Sequence, residues 1–399
     1  MLKMNNSDNK RLVLIYCGDN SGCSHVRLRY YADMFNGIDQ GLTCLVSPIF
    51  IFDPNILAQC KAIIWQKPSS KEHISILLRY KSIQQKFGFK LVYEIDDLFF
   101  SSPFGDHGSV PDYNPSSIGR NPKIDAEIEN NLAQIFPLFD TIMTSTDYLK
   151  KVISEKYHLS NVLVVKNTVP RFLWSCDRKQ EIKEDIKKPT IVYTGSPCHY
   201  TNPVPARAPS PNEPRGFPGI PGKPGDWGLP IAQWIIKMVK EDRINFVIVG
   251  AIPYVFQEIL PRIKYIPWTN SYNYPRRCWS LKADFQFAPL VNNEFNKCKS
   301  ALRFYESSIA GIVMLGSTFA ENNDSPYEEI HPACKIRNDM TVDQIDEAFW
   351  KLCKKEKYNE VLNWQYENLD KSGMILESDE SINAFLKVCD NAPNKLGNI

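Results

Sequence analysis

The chain has 399 residues, of which 43% are hydrophobic and 23% charged, with a net charge of +2. That length is long for one core and predicts two domains, while the charge balance excludes a global field recruiting nucleic acid or membrane and leaves room for a local basic cleft. Eleven cysteines without CxxC pairs or zinc-spaced histidines point to reduced thiols in a cytoplasm rather than to disulfides or a metal cluster. The polar residues 1–10 show no signal-peptide core, and no apolar run reaches the ~18 residues of a membrane span.

Residues 11–16 form a short apolar run that predicts a buried strand. A small-residue loop, 17–24, leads to a helix expected over 25–35. Strand, glycine-containing loop and helix is the layout of an α/β unit whose loop faces a ligand. The loop is not GxGxxG, so no dinucleotide fingerprint is read. Arg27 and Arg29 stand in the first helical turns, against the macrodipole; anion binding and solvated charge both fit. Residues 61–65 predict a strand, 74–87 a helix, and 90–97 a strand ending in Asp96 and Asp97. Carboxylates at a strand's C-terminal end stand where open α/β sheets place ligands. They fit a general base or acceptor-positioning pair, a metal-binding pair, or an Asp capping the next turn. Residues 101–122 read as a functional-length loop. A helix over 124–136, a strand over 140–145, a helix over 146–157 and a strand over 161–166 complete a parallel α/β half.

Residues 178–188 carry eight charged residues in eleven and read as a linker. A second α/β series begins with a strand over 190–194 and a turn at Gly195 and Ser196 that presents backbone N–H groups suited to phosphate. Residues 202–228 are rich in proline, with glycines at 216, 219, 222 and 225. This segment reads as an extended basic insertion bearing Arg207, Arg215 and Lys223, either holding an acceptor or decorating the surface. Strands are expected over 244–249 and 264–268. Arg276 and Arg277 lie beside Tyr274 and Trp279, a mix that suits nucleic acid and equally a short helix docked on a sheet. A strand over 284–290, a loop and helix over 295–311, and a strand over 312–315 follow. Within the helix Lys299, Arg303 and Glu306 fall at i, i+4 and i+7 on one face, with Leu302, Tyr305 and Ile309 toward a core. Cations at a helix entrance oppose phosphate and a carboxylate accepts from hydroxyls; a surface ion pair of Arg303 with Glu306 is the plainer alternative. Thr341 and Gln344 read as a capping box, and 378–389 as a last amphipathic helix.

Residues 284–290, then Phe295, Asn296, Lys299, Ser300, Arg303, Glu306 and Gly311, resemble the APL…FNxxKSxxKxxE…G signature of group 1, family-4-like GT-B glycosyltransferases. Val92 to Asp97, Ser145 with Thr146, and Tyr193 to Ser196 fall where that family has similar residues. The resemblance implies an α/β GT-B fold, two Rossmann-like domains facing a central cleft. Residues 1–177 would bind the acceptor, 189–370 a nucleotide sugar, and 371–399 would return as a helix to the first domain. It implies that Glu306 holds the ribose, that Arg303 and Lys299 neutralise the diphosphate, and that Gly195 and Ser196 approach it through backbone. Ser300 and Trp268 join the donor set; His25, Arg27, Arg29, Arg207, Arg215, Arg276 and Arg277 form the acceptor set. The family's first glutamate, eight residues before the second, is here Cys298, so the contact to the sugar is altered. A retaining transfer needs no base, the leaving phosphate taking the acceptor proton; an inverting one would use Asp96 or Asp97. No metal or other cofactor is implied beyond the UDP-sugar co-substrate. The motifs resemble most the bacteriophage enzymes that glycosylate 5-hydroxymethylcytosine in DNA, arabinosyltransferases among them. That implies UDP-arabinose or UDP-glucose as donor, double-stranded DNA as partner and the host cytoplasm as location. A cell-surface glycan or small metabolite is the alternative acceptor, and a non-catalytic nucleic-acid-binding module the alternative class.

Overall fold

The structure is a computed structural model and describes residues 11–38, 41–104, 111, 122–174, 184–196, 199, 225–228, 230–321, 323–371 and 373–390. The chain forms two compact units, one of residues 1–104, 121–168 and 376–399, the other of residues 105–120 and 169–375. Each is built on a parallel six-stranded sheet.

The first sheet holds β1 (Leu12–Tyr16), β2 (Thr43–Val46), β3 (Cys60–Gln66), β4 (Lys90–Ile95), β5 (Thr141–Thr144) and β6 (Val162–Val164), in the order β2-β1-β3-β4-β5-β6. Its central strands are continuous apolar runs because helices cover both faces of a parallel sheet; Val13, Leu14, Ile15, Ile63, Ile64 and Val92 are buried. Helix ends are set by side chains. Ser70 and His73 form a capping box at the start of Lys71–Phe87, and Thr146 caps Asp147–Tyr157. The last helix, Asp379–Cys389, belongs to this unit. Phe385 stacks on Tyr31 with centroids 4.5 Å apart, and Lys90 donates to the Asp390 carbonyl at 2.8 Å.

The second sheet holds β7 (Thr190–Gly195), β8 (Asn245–Gly250), β9 (Lys264–Ile266), β10 (Phe285–Ala288), β11 (Val313–Thr318) and β12 (Lys335–Arg337), in the order β12-β11-β10-β7-β8-β9. The chain runs outward from β7 to β9, then returns to β10 beside β7. The crevice at the C-terminal ends of β7 and β10 is therefore the topological switch point, where open α/β sheets hold ligands. Thr341 and Gln344 do form a capping box, at the start of Val342–Leu352.

Three features differ from the sequence expectations. The units exchange at residues 168/169 and 375/376, not across residues 178–188. The described part of that charged stretch is docked on the second unit: Asp185 binds Lys354 at 3.0 Å, Glu184 binds Lys355 at 2.7 Å, and the Ile186 N–H donates to the Cys353 carbonyl. Asp185 and Glu184 are thus held by ion pairs at the surface of that unit. The end of the expected insertion is core, not decoration. Gly225–Trp227 is a tight turn, and Trp227 packs against Tyr193 and Phe256, each at 4.8 Å. Finally, β2 and β12 are edge strands that the sequence reading left out. No helix among the described residues is long and apolar enough to cross a membrane.

Candidate functional site

The expected loop before the helix in 295–311 holds a short helix of its own. Glu294–Lys297 is capped by Asn293, and Leu302–Ile309 begins after a turn at 298–301. Lys299 therefore lies ahead of the second helix rather than on its face. Its ammonium stands 4.4 Å over the Phe295 ring, a cation–π contact. Ser300, half-buried, occupies the same turn. Cys298 is 0% exposed. A side chain that no water can touch meets no sugar without rearrangement, so the expected donor contact at Cys298 is corrected to a core thiol.

Arg303 and Glu306 do share the helix, but they do not pair with each other. The Arg303 guanidinium donates to the Thr194 hydroxyl at the end of β7. Glu306 accepts from the Tyr274 hydroxyl at 3.3 Å, and Tyr274 lies 3.0 Å from the same Thr194 hydroxyl. Gln286, buried in β10, donates to Thr194 at 3.1 Å and accepts from Ser307 at 2.7 Å. A polar network thus ties β7, β10, the helix Tyr274–Ser280 and the helix Leu302–Ile309 to the switch point. Burial pushes the Glu306 carboxyl up to about 7, against the opposing pull of Arg303 and the Tyr274 hydroxyl. Burial alone would lower the Arg303 guanidinium; Tyr274, Tyr193, Tyr327 and Glu306 around it hold it above its ordinary value.

Two glycines let neighbouring groups pack close at this end of the sheet. A Cβ on Gly195 would lie 2.2 Å from the Tyr193 hydroxyl, so only glycine lets the Tyr193 side chain pack against the backbone there. Gly250, at φ +104, would meet the Gly195 carbonyl at 2.6 Å. Ser196 follows, half-buried. Trp268 is 44% exposed and stacks on Tyr274, centroids 5.5 Å apart and planes 27° apart. Arg276 is exposed and Arg277 half-buried on the helix Tyr274–Ser280.

Residues the sequence reading missed complete the wall. Asp226 is 0% exposed. One of its oxygens accepts from the Val291 N–H at 2.9 Å and from Asn296 at 2.7 Å; the other lies 2.8 Å from His199 Nδ1. The signal available was a histidine four residues past Gly195 and an Asp-Trp pair closing the proline-rich stretch; nothing local joins them.

In the first unit the expected acceptor residues separate. Arg27 is 0% exposed. It pairs with the fully buried Glu94 at 2.7 Å and donates to the Val165 carbonyl and to Asn167. Turning it inward accompanies a π-helical turn, His25–Arg29, before the α-helix Tyr30–Gly37. Arg27 is therefore a structural core cation, correcting its place in the acceptor set. His25 and Arg29 remain half-buried on the loop side: His25 Nδ1 lies 2.8 Å from the Ser21 carbonyl, and Arg29 donates to Asn20 at 2.7 Å. Asp96 and Asp97 lie just past β4. Lys67, with φ of +51, pairs with Asp96 and stands 4.0 Å from Asp97. Burial would raise the Asp96 carboxyl, but Lys67 outweighs it and holds it below the ordinary range, which makes Asp96 a weak proton acceptor. Cys23 Sγ joins both carboxylates within 4.8 Å, and the Lys67 ammonium offsets one of the two carboxylate charges. Arg207 and Arg215 lie outside the described residues.

No family model matches the chain and no curated protein sequence matches it. Among solved structures, the glycosyltransferase from Rickettsia africae ESF-5 is 10% identical, with 96% of this chain and 98% of that chain covered at a TM-score of 0.56. HepE (Alr3699) from Anabaena, solved with UDP and glucose, is 9% identical, with 94% and 99% covered at a TM-score of 0.53. TarM is 11% identical over 83% of this chain at a TM-score of 0.48; the chain spans 55% of its length, and that likeness carries no argument. At such identities what is shared is the fold: two Rossmann-like units of the GT-B architecture.

Proposed function

We propose that the chain is a glycosyltransferase whose second unit binds a nucleotide-sugar donor at the switch point between β7 and β10. The observation that carries this is Arg303 anchored to Thr194 on the helix that also carries Glu306, at the C-terminal end of β7, where the Gly195 backbone has no side chain. The GT-B fold and the UDP seen in HepE support it. Arg303 and Lys299 oppose the charge that grows on the departing diphosphate, Glu306 accepts from the ribose hydroxyls, and the backbone at Gly195 and Ser196 approaches the phosphates. The exposed Trp268 face offers a stacking surface for the base.

For the donor we take a UDP-sugar, UDP-arabinose or UDP-glucose first. For the acceptor we take the hydroxyl of 5-hydroxymethylcytosine in DNA. The motif resemblance supports this choice, and Arg276 supplies an exposed cation on the helix that also carries Tyr274. The test is a panel of labelled UDP-sugars against hydroxymethylated DNA, polysaccharide and small hydroxyl acceptors, read by product mass. Transfer to hydroxymethylcytosine is expected. Transfer to a glycan or metabolite alone would remove the DNA acceptor and keep the donor site. Absence of any nucleotide-dependent rise in melting temperature would reject the donor site itself.

A further inference from the structure

The crevice holds a histidine that the donor motif does not use. His199 stands four residues past Gly195, the end of β7. Its Nδ1 lies 2.8 Å from Asp226. That carboxylate is fixed from its other side by the Val291 N–H and by Asn296, and the neighbouring Trp227 is buried. A buried carboxylate so held accepts from the imidazole and offers it no proton. Nδ1 therefore carries the hydrogen, and Nε2 is the nitrogen left to meet a ligand.

We propose that His199, oriented by Asp226, binds the diphosphate of the donor as an imidazolium, so that donor binding takes up one proton at Nε2. This rests on reading the crevice as a nucleotide-sugar site. Among the described residues, the charged groups that act on the imidazole are Asp226 from the Gly225–Trp227 turn, in contact with it, and Lys299 from the turn before the helix and Arg303 from its first turn, through their charge. In the unliganded protein burial lowers the His199 imidazole below its ordinary value, and Lys299 and Arg303 push the same way against the opposing Asp226. Burial and both cations thus favour the neutral resting ring, whose Nε2 is an acceptor and repels a phosphate oxygen. A diphosphate offsets both cations and supplies an acceptor, and both effects favour a proton on Nε2. Solvent supplies that proton, and it returns to solvent when the nucleotide leaves. The bound imidazole has the higher pKa, so nucleotide affinity rises as the pH falls from 8.5 toward 6. During transfer the imidazolium adds a third cation beside the departing phosphate. Asp226 acts through His199 as a positioning residue.

The test is calorimetric titration of the full chain with UDP, from pH 6 to 8.5, in buffers of differing ionisation enthalpy, with His199→Gln and Asp226→Asn alongside. UDP's own protonation is common to all three proteins and cancels in the differences. The wild type is expected to take up more protons than His199→Gln near neutral pH and to bind UDP about tenfold tighter at pH 7, the worth of one charge-assisted hydrogen bond. Asp226→Asn should move the uptake to lower pH. Equal uptake and equal affinity in wild type and a folded His199→Gln would overturn the role of His199 and leave the donor site standing. Should His199→Gln fail to fold, an uptake curve for Asp226→Asn superimposable on wild type would overturn it. Failure of all three folded proteins to bind UDP would overturn the donor site and this inference together.

Discussion

Arg303 and Glu306 are three residues apart on one helix, yet each is engaged elsewhere: Arg303 with Thr194, Glu306 with Tyr274. That separation leaves neither charge spent in a direct pair with the other, as the proposed donor site requires. Arg303→Ala is expected to cut kcat/KM with the UDP-sugar by about a hundredfold, the usual loss for one preorganised charge donor, as steady-state kinetics will read. Glu306 carries a pH prediction. Its native carboxyl is raised to about 7 from an ordinary 4.5, so the folded state binds the extra proton between those values. Stability then falls as the pH rises through that window and levels off above it. Glu306→Gln should therefore melt above wild type at pH 8 and with it at pH 4; an equal offset at both pH values would mean that the carboxylate is as solvated as in the unfolded chain. Gly195→Ala should cost about 1–3 kcal/mol, because the new methyl lands on the buried Tyr193 ring; chemical denaturation measures it. Arg303 and Glu306 were legible because their helix follows a buried strand and precedes a glycine. His199, Asp226 and Gln286 were not, since a buried polar residue differs from an exposed one only through partners distant in sequence.

At the scale of elements, the helix after β1 shows where local rules give way. Two arginines in a first turn look solvent-facing, but Arg27 turns into the core to meet Glu94, 67 residues away. Arg27→Ala would leave Glu94 buried without its cation, at a cost of about 3–5 kcal/mol. Denaturant unfolding is the measurement, and a double change of Arg27 and Glu94 to apolar residues should recover most of the loss. The central strands were legible as apolar runs. The edge strands β2 and β12 were not: Thr43–Val46 alternates exposed and buried positions over four residues, and Lys335–Arg337 has three residues, two of them charged. Pairing with β1 and β11 makes them strands, and no local pattern reports that. The loop and helix expected over 295–311 put Lys299 on the helical face because its spacing to Arg303 permits it; the structure forms a first short helix, Glu294–Lys297, and the Asn296 bonds to Asp226 and to the Val291 carbonyl accompany the turn that leaves Lys299 outside the second.

For the whole molecule, two sheets with separate cores predict that unfolding departs from a single two-state transition. The last helix belongs to the first unit, so Phe385→Ala should cost that unit about 3–5 kcal/mol through the lost stack on Tyr31. UDP at about a hundred times its Kd should stabilise the second unit by ~2.7 kcal/mol. Calorimetry of Phe385→Ala with and without UDP is expected to show the mutation and the nucleotide acting on different transitions. By itself the sequence determined the α/β class, the succession of buried strands and helices, and the pair Arg303 and Glu306, because periodicity and helix entrances are local consequences of side-chain chemistry. Tertiary structure alone decided that Arg27 is core, that Cys298 is sealed off, and that His199 meets Asp226. Burial and long-range pairing set the charge and reach of those groups, and both are properties of the folded chain.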